Sequence, residues 1–225
     1  MKACHISDTH DVHQDLNLVV PNDIEILFFT GDLTYRGAEW ELIKLLEQFK
    51  VLSARIPHIV GCLGNHELGA EGKEEEWKQK FKDVGVTLLD HESVEINGIK
   101  IFGSPHTPWF FDWAFSYHNP KMGTQQGDEQ REGEEVWKDI PEDTQVLLTH
   151  GPPIFILDTC RDGSVGCGEL RRRIEGIPSI KYHMFGHIHE GYGLTNVGGV
   201  TYSNGSIMNG KYKFVNKPNC FDLEF

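Results

Sequence analysis

The chain has 225 residues, of which 39% are hydrophobic, 11% aromatic and 24% charged, the balance of an ordinary folded globular protein. That length suits a single domain over residues 1–225 with room for a sizeable core. With 21 Lys and Arg against 34 Asp and Glu, the formal net charge of −13 argues against a footprint on long nucleic acid, where a basic face must displace phosphate counterions.

The first residues enter a strand-like run without a secretory-leader pattern, and no apolar run reaches membrane-spanning length. The five cysteines are scattered and odd in number. Cys4 and Cys62 fall in buried-strand patterns, where a free thiol acts as a small hydrophobe. Together these features predict a cytoplasmic protein with reduced thiols.

Lys2 to Ser7 reads as a short strand ending in Asp8-Thr9-His10-Asp11. Residues 12–22 carry no strong period. Ile24 to Thr30 is an almost continuous apolar run, as in the centre of a parallel sheet, and it ends in Gly31-Asp32. Ala38 to Ala54 spaces Trp40, Leu42, Ile43, Leu45, Leu46, Phe49 and Leu52 as an amphipathic helix does. His58 to Leu63 is the next strand, followed by Gly64-Asn65-His66-Glu67. Each strand thus ends in a polar signature, at the edge where open α/β sheets hold their ligands.

Glu71 to Val84 reads as a charged helix, its Glu74-Glu75-Glu76 run a solvated face. Short strands follow at 86–89, 93–96 and 99–102, with Asn97-Gly98 as a hairpin turn. Residues 104–115 form a proline-punctuated loop holding Trp109, Phe110, Phe111, Trp113 and Phe115, which packs on the body, stacks on a nucleobase or, where exposed, adds to a dimer surface. A helix of poor register is expected over 125–139. Gln145 to Thr149 is another apolar strand, ending in His150. Arg171-Arg172-Arg173 lies on a short helix and is read as a salt-bridge cluster. Ile180 to Phe185 leads into Gly186-His187-Ile188-His189-Glu190, where an extended backbone would put both histidines on one side. From this composition Gly-His-x-His arises by chance about 0.07 times per chain. Beta-like runs at 194–197, 200–203, 212–215 and 220–225 close the sequence.

Asp8-x-His10, Gly31-Asp32, Gly64-Asn65-His66-Glu67, His150 and Gly186-His187-x-His189 are each weak signals. In this order, and always at strand ends, they resemble the calcineurin-like metallophosphoesterase superfamily over nearly the whole chain. Segments 107–110, 149–153, 165–170 and 185–193 are similar to one subgroup, the metallophosphoesterase-domain-containing proteins first described from brain. His106 departs from that subgroup, which more often has an aromatic residue there.

The resemblance implies a four-layer αββα sandwich with two mixed sheets. It also implies two divalent ions, one held by Asp8, His10, Asp32 and His189 and the other by Asp32, Asn65, His150 and His187, with Asp32 bridging. Nitrogen and oxygen ligands suit manganese first, with iron, zinc, cobalt or magnesium as alternatives. Such a pair clamps phosphate oxygens and generates a bridging hydroxide that attacks phosphorus. His66 takes the place of the general acid, or of a group that stabilises charge on the leaving oxygen, with Asp32 and Asn65 in the catalytic set. Asp11, Glu67 and Glu190 either orient imidazoles or are plain surface carboxylates. His5, His58 and His183 are read as core or edge histidines.

The activity implied is hydrolysis of a small phosphodiester such as a cyclic nucleotide. Its rivals are a broad phosphomonoesterase and a nucleotide-binding protein with weak residual activity. The expected partner is a small phosphoester or nucleotide, with neither long nucleic acid nor membrane; the oligomeric state stays open.

Overall fold

A computed structural model describes residues 1–11, 16–118 and 132–225. In chain order its elements are β1 (Lys2–Ile6), α1 (Leu16–Val19), β2 (Ile26–Thr30), α2 (Glu39–Ser53), β3 (His58–Cys62), α3 (Glu74–Asp83), β4 (Thr87–Leu88), β5 (Glu92–Ile96), β6 (Ile99–Ser104), β7 (Thr107–Pro108), β8 (Ser116–Tyr117), α4 (Gly133–Trp137), β9 (Val146–Thr149), β10 (Thr159–Cys160), β11 (Gly163–Ser164), α5 (Gly168–Glu175), β12 (Tyr182–Phe185), β13 (Gly193–Val197), β14 (Val200–Asn204) and β15 (Asn219–Asp222). A single 3-10 turn covers His189–Gly191.

One sheet runs β15-β1-β2-β3-β4 and the other β13-β14-β12-β9-β6-β5. Strands β1 to β4 are mutually parallel and β15 is antiparallel to β1. In the second sheet β6, β9, β12 and β14 are parallel, flanked by antiparallel β5 and β13. Both sheets therefore send the C-terminal ends of central parallel strands toward loops, where a parallel sheet can gather polar groups.

Strand alternation sets the layers. Ala3, Ile26, Phe28 and Val60 of the first sheet share a buried cluster with Ile101, Val146, Leu148 and Met184 of the second. Their neighbours Cys4, Leu27, Phe29 and Ile59 point the other way, onto Leu42, Leu45 and Phe49 of α2 and Trp77 and Phe81 of α3. On the far side Phe102, Leu147 and Phe185 pack against Val136 and Trp137 of α4 and Leu170 and Ile174 of α5. Helices, sheet, sheet, helices is the expected four-layer α/β sandwich. Helix α2 exposes Trp40 and Ile43 and buries Leu42, Leu45, Phe49 and Leu52, so its apolar stripe is broader than its buried face.

Two expectations need correction. Cys4 is not a free thiol: β15 lies antiparallel beside β1 with Cys4 opposite Cys220, and the two form a disulfide. Cys62, Cys160 and Cys167 are free. Residues 212–215 form no strand; Met208 and Phe214 make only an isolated bridge. Residues 16–19 are a short helix that no periodicity announced. Of the helix expected over 125–139, Gly133–Trp137 is described, and residues 119–131 lie outside the described residues, as does His13. The arginine cluster does form ion pairs, Arg171 with Glu175, Arg172 with Glu134 and Glu169, and Arg173 with Glu142.

Candidate metal centre

The loops after β1, β2, β3, β9 and β12 meet between the two sheets. Ser7 and Ser206 form a parallel bridge across the gap, with Ser7 N donating to Gly205 O at 2.8 Å and Ile207 N to Ser7 O at 2.9 Å. The loop after β1 then runs along the loop after β2, where Asp8 N donates to Gly31 O (3.0 Å) and His10 N to Asp32 O (2.9 Å). All eight residues singled out in the sequence come together here.

Asp8, His10 and His189 form one group whose ligand atoms lie within 4.8 Å of one another, and Asp32, His150 and His187 form a second. Asp32 faces both ways: Oδ1 is 3.3 Å from His150 Nε2 and Oδ2 is 3.8 Å from His10 Nε2. Nε2 atoms of His10 and His189 are 3.2 Å apart. Asp8 Oδ1 lies 3.4 Å from His189 Nε2. Asp8, His10, Asp32, Asn65, His66 and His150 are all buried.

Convergence does not come from a pleated strand, as the spacing of His187 and His189 had suggested. The backbone enters the left-handed region at Asp8 (φ 52°), His10 (43°), Asp32 (51°) and His187 (67°). Non-glycine residues there cost energy, and such strain gathers at functional sites. At His187 the turn sends its ring beside His150, with centroids 5.0 Å apart, while His189 goes to His10. Gly186 is obligatory beneath them, because a Cβ there would overlap Ser7 Oγ and Asp8 Oδ2.

The outer nitrogens of three imidazoles donate to backbone carbonyls: His150 Nδ1 to Thr30 O (2.7 Å), His189 Nδ1 to Asn209 O (3.0 Å) and His66 Nδ1 to Tyr35 O (2.8 Å). These bonds fix tautomers and turn each Nε2 inward. The carboxylates suggested as partners act elsewhere. Asp11 reaches Lys44 at 3.4 Å, and Glu190 is exposed. Glu67 is fully buried and takes Asp32 N (3.0 Å), Thr34 N (2.8 Å), Thr34 Oγ1 (2.9 Å) and Gly64 N (2.7 Å), tying the loops after β2 and β3 together. Burial and nearby Asp32 push its pKa up to about 7.

The donor set fits divalent cations. With Nδ1 committed to Thr30, His150 Nε2 presents a lone pair to Asn65 Oδ1 at 2.9 Å and Asp32 Oδ1 at 3.3 Å. Three acceptors converging in a buried place repel unless a proton or a metal ion sits among them. Burial pushes His150 and His189 down, but Asp32 and Asp8 override it and raise both to about 9. His10 and His187 lack so close a carboxylate, and burial lowers each to about 4. Asp8 and Asp32 stay well below the usual carboxylate range; burial opposes this, and the facing imidazoles outweigh it.

Outside the ligands lies a cleft of about 590 Å³, bordered by Asp32, Asn65, His66, His187 and His189 on one side and by Pro108, Phe110, Trp113, Pro152, Val165, Ile188 and Tyr212 around it. The aromatic loop divides by position. Phe115 is core, Trp113 lines the cleft, and Phe110 and Phe111 are exposed. His106 does not reach the cleft; its ring sits 5.0 Å from that of His91.

Several contributing residues were not singled out in the sequence. Ser206 Oγ donates to Asp8 Oδ2 at 2.7 Å, Asn209 holds His189, and Tyr212 covers His10 edge-on with centroids 4.8 Å apart. Ser206 stands just past the end of β14 (Val200–Asn204), a strand-end position like those of the other signatures, so it carried a readable signal. Tyr212 carried none.

The comparisons with known proteins agree with this geometry. A family model described as calcineurin-like phosphoesterase matches residues 1–191. A UPF0046 protein of Caenorhabditis elegans is 34% identical over 235 residues, covering 98% of this chain and 74% of its own length. Human metallophosphoesterase domain-containing protein 1 is 31% identical over 241 residues, covering 97% of this chain and 69% of its own. Among solved structures, a phosphopantetheinyl hydrolase from Mycobacterium tuberculosis shares the fold, with a TM-score of 0.57 at 14% identity over 94% of this chain and 90% of that one. With its histidines and aspartates converging as that family's metal chemistry requires, the chain belongs to the calcineurin-like phosphoesterase family.

Proposed function

We propose that residues 1–225 form one domain that hydrolyses small phosphodiesters, cyclic nucleotides among them, with two divalent metal ions, manganese foremost. The carrying observation is Asp32, whose two oxygens face separate imidazole groups at 3.3 and 3.8 Å. Asp8, His10 and His189 would hold one ion with Asp32, and Asn65, His150 and His187 the other. When bound, the pair supplies Lewis acidity toward the phosphoryl oxygens and acidifies an attacking water.

The residues of the chain do the rest. Carbonyl-held imidazoles present fixed lone pairs, so no reorganisation is needed when the ions or substrate arrive. His66, with Nδ1 bonded to Tyr35, turns Nε2 toward the centre, 4.0 Å from Asp32 Oδ2. That nitrogen can hand a proton to the leaving oxygen. The cleft walls of Phe110, Trp113, Pro152 and Val165 exclude water from the organic part of the ester.

The diester reading is favoured over the monoester because no Lys or Arg is among the described residues lining the cleft. A monoester dianion would rely on the metal ions alone for its second charge. A nucleotide-binding protein with residual activity is the third reading, and the complete ligand set speaks against it. A reducing compartment belongs to this proposal only for Cys62, Cys160 and Cys167; alkylation of protein taken directly from its native setting would show whether Cys4–Cys220 is oxidised there.

The test is hydrolysis of bis(p-nitrophenyl) phosphate beside p-nitrophenyl phosphate, after chelation and reconstitution with manganese, magnesium, zinc or nothing. Diester cleavage restored by manganese is the expected result. Preference for the monoester would replace the reading with the phosphatase one, and no turnover with two ions bound would favour nucleotide binding.

A further inference from the structure

His66 does not stand alone. The indole of Trp113 lies flat against its imidazole, with centroids 4.1 Å apart and planes 23° from parallel. This contact is built into the backbone: Ala114 N donates to Asn65 O at 3.1 Å, and Phe115 N donates to Glu71 Oε1 at 2.9 Å. The aromatic loop after β6 is therefore pinned, directly after Trp113, onto residues of the loop after β3 that flank His66. Arg36 places its guanidinium 5.8 Å from the Trp113 centroid, a further restraint on the indole. His66 is thus fixed by three contacts in different directions, a ring face (Trp113), a carbonyl (Tyr35 O at 2.8 Å) and a ring edge (His10, centroids 4.5 Å). Two torsions of His66 have little freedom left, and only Nε2 is open to the cleft.

We propose that Trp113 is a positioning residue for the leaving-group side of the reaction, acting through His66. It rests on the reading of His66 as the proton donor given above. During hydrolysis the water oxygen bonds to phosphorus as the bond from phosphorus to the leaving oxygen breaks. The proton that neutralises the leaving oxygen comes from His66 Nε2, and the proton lost by the attacking water returns through solvent to His66 and closes the cycle. A misaligned donor penalises this step only where the leaving oxygen needs the proton. Trp113 also borders the cleft beside Phe110, so the leaving arm passes along its ring.

The need for a proton gives the test. p-Nitrophenolate leaves without help, whereas the ribose alkoxide released from 2′,3′-cyclic AMP does not. With manganese-loaded full-length enzyme, Trp113→Ala is expected to lower kcat for 2′,3′-cyclic AMP by about 30-fold or more, a sizeable part of the roughly 10²–10⁴-fold worth of an acid catalyst. For bis(p-nitrophenyl) phosphate the loss should stay within about 3-fold, since little acid catalysis is there to lose. Trp113→Phe, which keeps a ring face, should restore most of the difference. Metal content of each variant is measured alongside. Equal losses on both substrates, or a change in KM alone, would overturn the proposal and leave Trp113 as packing or as a simple binding surface. If Trp113→Ala fails to fold, Trp113→Leu carries the same comparison. Absence of turnover in the unaltered enzyme would instead strike the diesterase reading itself, so the two failures are told apart.

Discussion

His5 and His10 belong to one strand and its loop, and so do His183 and His187, yet the two levels behave differently. Below the loops, His5 and His183 are fully buried among hydroxyls. His5 bonds Ser203 and Thr30 at 2.8 and 2.9 Å, and His183 Nε2 bonds Thr149 Oγ1 at 2.8 Å. Burial holds both near 3, so they are neutral. Above, the fully buried His150 and the less buried His189 face Asp32 and Asp8 and rise to about 9, while His10 and His187, without so close a carboxylate, stay near 4. Burial alone makes a core histidine; burial facing a carboxylate makes a place for a cation.

The strongest way to break this contrast is to remove the carboxylate that the upper level shares. Asp32→Ala leaves His150 facing no bridging oxygen. Turnover and metal content should fall together, by more than the roughly 10–100-fold that loss of an outer-shell partner costs. Metal analysis beside the diester assay decides it; full metal content with lost activity would deny Asp32 the bridging role. His66→Ala should separate the two readouts, lowering turnover on an alkoxide-releasing diester by about 10²–10⁴-fold while metal stays bound. Metal loss in that variant would make His66 a ligand instead.

A milder perturbation touches only the support. Ser206 is fully buried and gives its hydroxyl to Asp8. Ser206→Ala should weaken metal affinity by about 10–100-fold with the fold intact, measured by chelator competition. Unchanged affinity would show that the two backbone donations from His187 N to Asp8, each 3.0 Å, already orient it.

How much of this contrast was readable follows from what a sequence encodes locally. The apolar runs of β2, β3 and β9 and the polar residues after them were visible because a buried parallel strand is mostly apolar until it surfaces. The polar residues that converge at the candidate site stood at those strand ends, and the family resemblance supplied their division between two ions. Which histidine meets a carboxylate was less so, since Asp8 and His189 are brought together over a long stretch of chain. The Cys4–Cys220 pair depends on β15 lying beside β1, a register that no local pattern specifies. The left-handed turns at Asp8, His10 and His187 leave no signature either, because a non-glycine residue gives no sign of φ. Tyr212 falls in a run that reads as a strand, but it sits in a turn held by Asn209 Oδ1, which takes the backbone N–H of Lys211 and Lys213 at 3.0 and 3.1 Å.

The lower level yields the smallest and most specific effect, a dependence of stability on pH. His5 and His183 have folded pKa values near 3 against 6.5 when free. Between those values the unfolded chain binds protons that the folded one refuses, so the stabilisation is complete above pH 6.5 and drains away as pH falls toward 3. Each such group contributes a slope of at most about 1.4 kcal/mol per pH unit. His183 is the cleaner target, because its Nδ1 has no hydrogen-bond partner among the described residues and a phenyl ring strands no acceptor there. His183→Phe should therefore flatten the stability curve between pH 6 and 4 by up to about that slope, read from urea midpoints of chelated protein. Chelation matters, since competition of protons with metal at the upper histidines would otherwise add its own loss of stability as pH falls, in the same direction. An unchanged slope would mean that His183 is already charged in the folded state. The line drawn here between core and ligand histidines would then be misplaced at that position.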